Sequence, residues 1–563
     1  MTMFDAIVVG SGMSGGIAAK ELCERGLKVL VIERGRKMVH GESYTDGLQP
    51  WEVPNAGMVA EEDLARHYKI QKDSFITSAT QQYWVKDDEN PYDTPAEKPF
   101  AWIRGYHLGG RSIMWGRQSY RLSAQDFEAN ATDGHGSDWP IRYDDLAPWY
   151  SHIEKFIGVS GTKEGLPQLP DGEFLPPFGL NDGELMFKAA VEKAFPGRKV
   201  IPGRTANLSV AQPQHEELGR GTCQARSLCE RGCSIGGYHS SLSSSLPAAE
   251  RTGNLTIVTD AIVHSVIHDP KSGKVTGVRV IDANTRVGAT YEAKIVFLNA
   301  STIGTAQILL NSKSEAMPNG LANGSDMVGR NLMDHLFALS VAGLLPNGPV
   351  DSFYHGRRPN GLYIPRFRNV TETADGFVRG YGYQGGVSRM GWRAGMGQPG
   401  IGAELKERAS KLGPWFSYIS GFGEMLPNPN NRVTLSATKK DQWGIPLVEV
   451  NCVHGPNEQA MAKQVLEDGQ AMIKAAGGIV VSVAKGPGDP GLAIHEMGTA
   501  CMGKDPSKSV LNQHNQAHDV PNLFITDGAA MASSGCQNPS LTYMALSARA
   551  AHHAAEFLKA GTL

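Results

Sequence analysis

The sequence predicts an α/β protein in which a Rossmann-like unit is joined to a second domain built on an antiparallel sheet. An apolar run, a glycine-rich turn, a helix-period segment and a second apolar run occupy the first 33 residues. Alternating apolar segments return at residues 255–300, and a further set follows at 340–485. The chain has 563 residues, more than one hydrophobic core usually supports, so two or more folding units are expected.

The N-terminal unit predicts dinucleotide binding. Residues 6–9 form the first strand, GSGMSG follows at 10–15, a helix is expected over 17–25, and the strand at 28–32 ends in Glu33. The three glycines at 10, 12 and 15 allow a tight turn, close approach of a diphosphate, and helix packing on the strand. The phosphates lie at the helix N-terminus, and the carboxylate accepts hydrogen bonds from ribose hydroxyls.

The same segment also matches a hydrolase signature. Residues 12–16 read G-x-S-x-G, the nucleophile elbow of serine hydrolases. Such an elbow belongs to a later, central strand, and it leaves Glu33 without a role. Dinucleotide binding is therefore the favoured interpretation.

Further strands are expected at 255–258, 261–267, 275–281 and 293–298, as a continuation of the first sheet. Residues 361–366, 432–435 and 447–453 predict the antiparallel sheet, with one helix over 457–476 and a last helix over 541–559. Residues 40–100 and 160–235 are expected to be rich in loops.

Composition excludes several classes of protein. The formal charge of -3 gives no electrostatic footprint for nucleic acid. The longest nearly apolar stretch, residues 336–345, is far shorter than the ~20 residues of a transmembrane helix. The N-terminus shows no basic region or cleavage site of an export signal. The 66 glycines are about 12 per cent of the 563 residues, above the usual share of about 7 per cent. They do not recur at a regular interval along the sequence.

The C-terminal region contains a candidate base, His495. The sequence around it, His-Glu-Met-Gly-Thr, begins like a zinc protease motif, but Thr499 stands where the second histidine is required. A zinc protease is thereby excluded. Taken alone, a single histidine is more often structural than catalytic.

Five ordered motifs resemble the glucose-methanol-choline (GMC) oxidoreductases. They are the N-terminal unit, GGRSIMWG at 109–116, VGRNLMDH at 328–335, the His495 segment, and the segment from Asp527 to Pro539. The resemblance covers nearly the whole chain. It implies a p-hydroxybenzoate-hydroxylase-like fold that holds FAD, with His495 and Asn538 facing the reacting side of the cofactor. The cofactor-binding residues that it implies are Gly10, Gly12, Gly15, Glu33, Gly109, Gly110, Met114, Trp115, Ala261, Ala300, Asp527, Gly528 and Pro539.

The chemistry of alcohol oxidation suits that pair. A proton leaves oxygen while a hydride leaves carbon, so a neutral imidazole at His495 serves as base and an amide at Asn538 fixes the oxygen. Pyranose oxidases, which the chain resembles around Trp115, carry a histidine before this tryptophan that binds FAD covalently. Because Met114 stands there, non-covalent FAD is expected.

A division into domains follows. Residues 1–40, 100–125, 240–335 and 490–563 are assigned to a discontinuous FAD-binding domain, residues 40–100 and 336–489 to a substrate domain, and residues 205–240 to a cysteine segment.

Cys223, Cys229 and Cys233 lie within eleven residues of the sequence. They could be free thiols, a zinc site completed by His239, or ligands of an iron-sulfur cluster. Their spacing resembles that of bacterial sugar dehydrogenases of this family, in which three cysteines hold a 3Fe-4S cluster.

This resemblance implies a dehydrogenase that passes electrons through the cluster to a cytochrome or dye. It also implies a small partner subunit with a twin-arginine signal, and hence a periplasmic location by co-export; a cytoplasmic location is the alternative. The pattern is most similar to glucoside 3-dehydrogenases, which oxidise the C3 hydroxyl of glucose units to a 3-keto sugar. The alternatives are a gluconate, glucose or sorbitol dehydrogenase, a pyranose-oxidase-like sugar oxidase, and an electron carrier without a substrate site.

Overall fold

The structure is a computed structural model, and it describes residues 3–350, 359–391 and 400–563. The strands of the described residues are β1 (Phe4–Val9), β2 (Val29–Ile32), β3 (Ile201–Pro202), β4 (Leu255–Val258), β5 (Ala261–Asp269), β6 (Lys274–Asp282), β7 (Gly288–Leu298), β8 (Leu336–Leu345), β9 (Leu362–Ile364), β10 (Tyr381–Arg389), β11 (Trp415–Gly423), β12 (Arg432–Lys440), β13 (Pro446–Asn451), β14 (Ile479–Val483) and β15 (Leu523–Ile525).

The α-helices of the same residues are α1 (Met13–Glu24), α2 (Glu61–His67), α3 (Ala124–Asp133), α4 (Tyr143–Ile157), α5 (Asp182–Ala194), α6 (Pro213–Glu216), α7 (Leu246–Glu250), α8 (Thr302–Asn311), α9 (Gly402–Ala409), α10 (Pro456–Ala475) and α11 (Ser540–Ala560). No described helix is both long enough and apolar enough to cross a membrane.

The first sheet has the order β4-β2-β1-β7-β6-β5, with β15 also paired to β7. β1 pairs in parallel with β2 and β7, whereas β5, β6 and β7 form an antiparallel meander. Residues 6–9 and 29–32 are fully buried, as expected for parallel strands covered on both faces. The prediction that residues 255–300 continue this sheet is confirmed.

The second sheet has the order β14-β8-β11-β10-β9-β3, and its strand pairs are antiparallel. Its core includes Val341 and Ile419 of the sheet and Val465 and Met472 of α10, so the predicted helix covers one face of the sheet. The apolar stretch at 336–345 is strand β8. The predicted antiparallel sheet and the α/β class are confirmed.

One prediction of local structure is corrected. The predicted strands at 432–435 and 447–453 lie in β12 and β13, which form a two-stranded sheet apart from the second sheet, because Val433, Val448 and Val450 pack into the core beneath the first sheet. Residues 160–235 are rich in loops, as expected, and they also contain α5. Asn181 and Glu184 form a capping box at its start, each side chain accepting from the other's backbone N–H at 3.0 Å or less.

Candidate active site

A cavity of about 680 Å³ lies where the carboxyl ends of β1 and β2 meet residues from the middle and the end of the chain. Most of the residues predicted from the sequence line it, although they are far apart along the chain. They are Gly10, Gly12, Glu33, Gly110, Met114, Trp115, Ala261, Ala300, His495, Asp527, Gly528, Asn538 and Pro539. Gly15 and Gly109 are not among its wall residues.

The first glycine turn forms a cradle that a side chain would fill. Gly10 has a φ of +97°, and a Cβ there would lie 2.2 Å from the Asn299 carbonyl oxygen. A Cβ at Gly15 would lie 2.0 Å from the Gly10 oxygen, so this glycine permits close packing of α1 on β1. A Cβ at Gly12 would meet no protein atom within 4 Å. These residues leave room for a diphosphate at the N-terminus of α1 and so fit FAD.

Ser11 connects the two glycine-rich segments, a contact that the sequence reasoning missed. Its hydroxyl donates to Glu33 Oε2 at 2.6 Å and accepts from the Gly109 backbone N–H at 2.9 Å. The second carboxylate oxygen of Glu33 accepts from the Gly35 backbone N–H at 3.0 Å. Burial raises the pKa of Glu33, and the hydrogen bonds from Ser11 and Gly35 oppose that rise.

Asp527 follows β15 and lies on the same cavity wall. Its carboxylate accepts from the Thr305 hydroxyl at 2.6 Å and from the Ala529 backbone N–H at 3.0 Å. Burial raises the pKa of Asp527 to about 6, although these donors favour the charged form. The carboxylate is therefore held in one orientation by α8 and by the segment before α11.

The structure brings His495 and Asn538 together. Asn538 Nδ2 lies 3.2 Å from His495 Nε2. The other ring nitrogen of His495, Nδ1, lies 2.9 Å from Nδ1 of His335, the last residue of the motif at 328–335. Burial holds the pKa of His495 well below its ordinary value, and the charges of His335 and Arg111 act in the same direction. The imidazole of His495 is therefore neutral at neutral pH.

The loop that carries His495 is held by the buried carboxylate of Asp334. Its oxygens accept from the backbone N–H groups of Gly491, Ala493 and His495 at 2.7, 3.1 and 3.1 Å. Between the last two donors, Ile494 has a φ of +62°, a conformation that a β-branched residue rarely adopts. Burial and the neighbouring Glu496 raise the pKa of Asp334 to about 7.

Arg111 ties the second glycine-rich segment to the same loop. Its guanidinium donates to both carboxylate oxygens of Glu496, at 3.2 and 2.8 Å. Such a paired contact fixes direction as well as distance. The residue after His495 is thus anchored to the segment that begins at Gly110.

The three clustered cysteines border a separate small cavity of about 20 Å³. Cys223 Sγ accepts from Asn207 Nδ2 at 3.8 Å, and Cys233 Sγ accepts from the Gly237 backbone N–H at 3.3 Å. His239 does not line this cavity, and its Nδ1 bonds the Ser244 hydroxyl. Among the described residues, no group of three or more His, Cys, Asp or Glu side chains is arranged to hold a metal ion.

The surroundings of Arg220 indicate whether a negatively charged centre would fit beside these cysteines. The side chain is buried, and neither Nη1 nor Nη2 has a hydrogen-bond partner among the described residues. Burial lowers the pKa of Arg220 to about 9, and the Cys233 thiol is the group that opposes this change. A buried guanidinium without a counter-charge is costly, so a thiolate centre at Cys233 fits this environment electrostatically.

Comparison with known proteins gives one consistent result. Residues 4–337 and 427–547 match the N-terminal and C-terminal family models of GMC oxidoreductases. The chain is 30% identical to a 2-methyl-1,2-propanediol dehydrogenase of Mycolicibacterium austroafricanum, over 97% of this chain and 94% of that protein. It is 29% identical to a fructose dehydrogenase large subunit of Gluconobacter japonicus, over 99% and 98%.

Among solved structures, the pyridoxine 4-oxidase from Mesorbium loti superposes with a TM-score of 0.60. The two chains share 18% identity, and the match covers 98% of this chain and 99% of the other. At this identity the likeness shows the fold alone.

The cradle can be tested by substitution at Gly12. Its φ of -71° and ψ of -155° are accessible to any residue, so Gly12→Val should fold normally while its side chain occupies the cradle. We expect FAD affinity to fall at least tenfold, or about 1.4 kcal/mol, when the FAD-free protein is titrated with FAD. Gly179→Val, at a glycine that also has no neighbour within 4 Å but lies outside the cavity, should bind FAD normally. Equal affinity in both variants would show that Gly12 does not face the cofactor.

Proposed function

We propose, from the premise that the chain belongs to the GMC oxidoreductase family, that it is a dehydrogenase that oxidises a secondary alcohol of a sugar. The family binds FAD and acts on CH–OH groups, and the chain is an oxidoreductase of this kind. The proposed substrate is the C3 hydroxyl of glucose or a glucoside. The observation that carries the proposal is the His495–Asn538 contact on the wall of the cavity that contains the glycine cradle.

Each side chain of the pair has a separate task. When substrate binds, its hydroxyl replaces the Asn538 amide at Nε2 of neutral His495, Nε2 accepts the hydroxyl proton, and the Asn538 amide donates a hydrogen bond to the substrate oxygen. Bound FAD supplies a hydride acceptor for the carbinol carbon. Phe422 packs against His495 with ring centroids 6.0 Å apart and Phe337 packs on Phe422 at 5.1 Å. These rings exclude water from one side of the base.

The cofactor is held without a covalent bond. Gly10, Gly12 and Glu33 surround the space for the diphosphate and ribose, and the segment at Gly110 closes the cavity from the other side. Met114 lines the cavity. It stands where pyranose oxidases carry the histidine that binds FAD covalently, and its thioether has no nitrogen to form such a bond. FAD is therefore dissociable.

A polyhydroxyl substrate is supported by the amides that share the cavity with the base. Gln384 and Asn360 line it together with Asn538, and the buried Asn360 Nδ2 has no partner among the described residues. Such donors suit neighbouring sugar hydroxyls. The likeness to a fructose dehydrogenase large subunit favours the same substrate class. Gluconate, glucose or sorbitol dehydrogenation and a sugar-oxidase activity are the alternatives.

We further propose that Cys223, Cys229 and Cys233 hold a 3Fe-4S cluster. In such a cluster each thiolate binds its own iron, so the cysteines need not converge on one point as they do around zinc. The guanidinium of Arg220, whose two Nη atoms have no hydrogen-bond partner among the described residues, supports an anionic centre. Glu230, the neighbour of Cys229, lines the large cavity, so the two sites are adjacent.

A cluster implies that electrons leave the protein. The proposed acceptor is a c-type cytochrome or a dye, and the proposed partner is a small subunit with a twin-arginine export signal. The name of the relative, a large subunit, supports an assembly of more than one chain. Co-export with such a partner would place the enzyme in the periplasm.

The substrate proposal is tested by anaerobic titration of the FAD-loaded protein. The panel is D-glucose, methyl α-D-glucopyranoside, sucrose, D-gluconate, D-fructose and 2-methyl-1,2-propanediol. We expect the glucosides to bleach the flavin absorbance and NMR of the product to show a 3-keto sugar. Bleaching by gluconate or fructose alone would move the assignment to those substrates. If no alcohol bleaches the flavin, the protein is an electron carrier and the proposal fails.

The base is tested with His495→Ala. We expect the rate constant of flavin reduction by the best substrate of the panel to fall by about 10²- to 10⁴-fold, while FAD content stays normal. Because the pKa of His495 is lowered, the wild-type rate should be flat above about pH 6.5 and fall only at lower pH. The variant should lose this acid limb.

His454→Ala is the matched control for this substitution. Its imidazole also has a pKa lowered by burial, to about 4, and it does not line the cavity. Its reduction rate and pH profile should match the wild type. Reduction by His495→Ala at the wild-type rate would remove His495 from the mechanism.

The cluster is tested by metal analysis and electron paramagnetic resonance of the oxidised protein. We expect iron and acid-labile sulfide in the ratio of a 3Fe-4S cluster, together with its paramagnetic signal. Cys229→Ser should lose both, whereas Cys452→Ser, at a buried cysteine outside the cluster, should keep them. Stoichiometric zinc, or a protein without metal, would refute the assignment.

A further inference from the structure

A chain of hydrogen bonds crosses the candidate active site and joins four side chains to one backbone carbonyl. Gln384 Nε2 donates to Asn538 Oδ1 at 2.5 Å, and Asn538 Nδ2 lies 3.2 Å from His495 Nε2. His495 Nδ1 lies 2.9 Å from His335 Nδ1, and His335 Nε2 lies 2.8 Å from the Gly535 carbonyl oxygen. Gln384 lies in β10 and His335 directly precedes β8, so the base is flanked by a strand of the second sheet on one side and by the residue before another strand of that sheet on the other.

The Gly535 carbonyl determines the direction of every bond in this chain. A carbonyl can only accept, so His335 Nε2 must carry a hydrogen. Burial lowers the pKa of His335 to about 4, so the ring is neutral and its Nδ1 must accept. His495 Nδ1 must then donate, which leaves the lone pair of neutral His495 on Nε2. Asn538 must turn its amide nitrogen toward that lone pair and its oxygen toward Gln384, which is the arrangement that the structure shows.

We propose that His335 and Gln384 are positioning residues that fix His495 in the tautomer with hydrogen on Nδ1, so that Nε2 presents a lone pair to the substrate hydroxyl. The inference rests on the proposed role of His495 as base. His335 acts from the Nδ1 side, where it is the hydrogen-bond partner of that nitrogen among the described residues. Gln384 acts from the Nε2 side by holding the Asn538 amide in one orientation.

The geometry separates positioning from proton transport. The series of hydrogen bonds ends at the Gly535 carbonyl, which accepts a hydrogen bond but is too weakly basic to take up the proton itself, so His335 does not carry the substrate proton away. The nearby charged groups are already occupied. Asp334 accepts from three backbone N–H groups, and Glu496 accepts both bonds from Arg111. Neither carboxylate replaces His335 as the partner of His495 Nδ1.

Two substitutions remove the residues that fix the tautomer of His495, one on each side of its ring. His335→Phe keeps a planar ring but removes the acceptor from His495 Nδ1. Gln384→Glu keeps the shape of the side chain, but its carboxylate accepts where the amide donated. The Asn538 amide should then reverse and present its oxygen to His495, which favours hydrogen on Nε2. His335→Asn restores an acceptor, and His454→Phe serves as the control outside the cavity.

The direct measurement is ¹⁵N NMR of the FAD-loaded protein labelled at histidine, with the His495 signals assigned by their loss in His495→Asn. In the wild type we expect a pyridine-like Nε2 and a pyrrole-like Nδ1. His335→Phe and Gln384→Glu should move the pyrrole-like signal to Nε2 in part or fully. Reduction of the flavin by D-glucose, or by the fastest alcohol of the panel, should slow by about 10²-fold. His335→Asn should recover a large share of that rate.

A merely structural role would lower FAD content or thermal stability without moving the ¹⁵N signals. The proposal is overturned if the variants that retain FAD keep the wild-type tautomer, whatever their rate. If His335→Phe loses FAD, the isosteric Gln384→Glu decides the outcome alone. Failure of the proposed function is recognised separately. In that case the flavin of His495→Ala would be reduced at the normal rate, while the tautomer of His495 could still be measured in the wild-type protein.

Discussion

The candidate site depends on one buried carboxylate, that of Asp334. Its two oxygens accept three backbone hydrogen bonds from the loop that carries His495. Two of the donors flank Ile494, whose positive φ costs on the order of 1–2 kcal/mol for a non-glycine residue. The hydrogen bonds to the carboxylate offset this strain. They thereby place the imidazole over the cavity instead of allowing the loop to relax to an extended conformation.

Asp334 also determines which parts of the chain meet at the base. His335 follows it directly and β8 begins one residue later, so the strand that enters the second sheet starts at the loop's anchor. On the other side, Arg111 binds Glu496 and links the loop to the glycine-rich segment. The loop is therefore fixed to the residue that precedes His335 and β8, and to the glycine-rich segment, which Ser11 connects to the turn after β1. A shift of either attachment would displace His495 relative to the cradle at Gly12.

The sequence was sufficient where the chemistry is local. The N-terminal unit was predicted because its glycines and Glu33 lie within 33 consecutive residues and each has a separate steric or electrostatic reason. Ser11, His335 and Gln384 gave no comparable signal. His335 meets His495 across 160 positions and Gln384 meets Asn538 across 154, and such contacts exist only after the two sheets pack. Similarly, alternation showed that β12 and β13 bury one face, but not which core receives it.

The use of a neutral partner for the base follows from the same carboxylate. A carboxylate at Nδ1 of His495 would favour the imidazolium and raise its pKa, so that more of the base would already be protonated at neutral pH. Asp334 directly precedes His335, yet its oxygens are turned toward backbone N–H groups. His335, neutral and anchored to a carbonyl, fills the position instead. The arrangement fixes the orientation of the imidazole without charging it, which is the state that an alcohol proton requires of its acceptor.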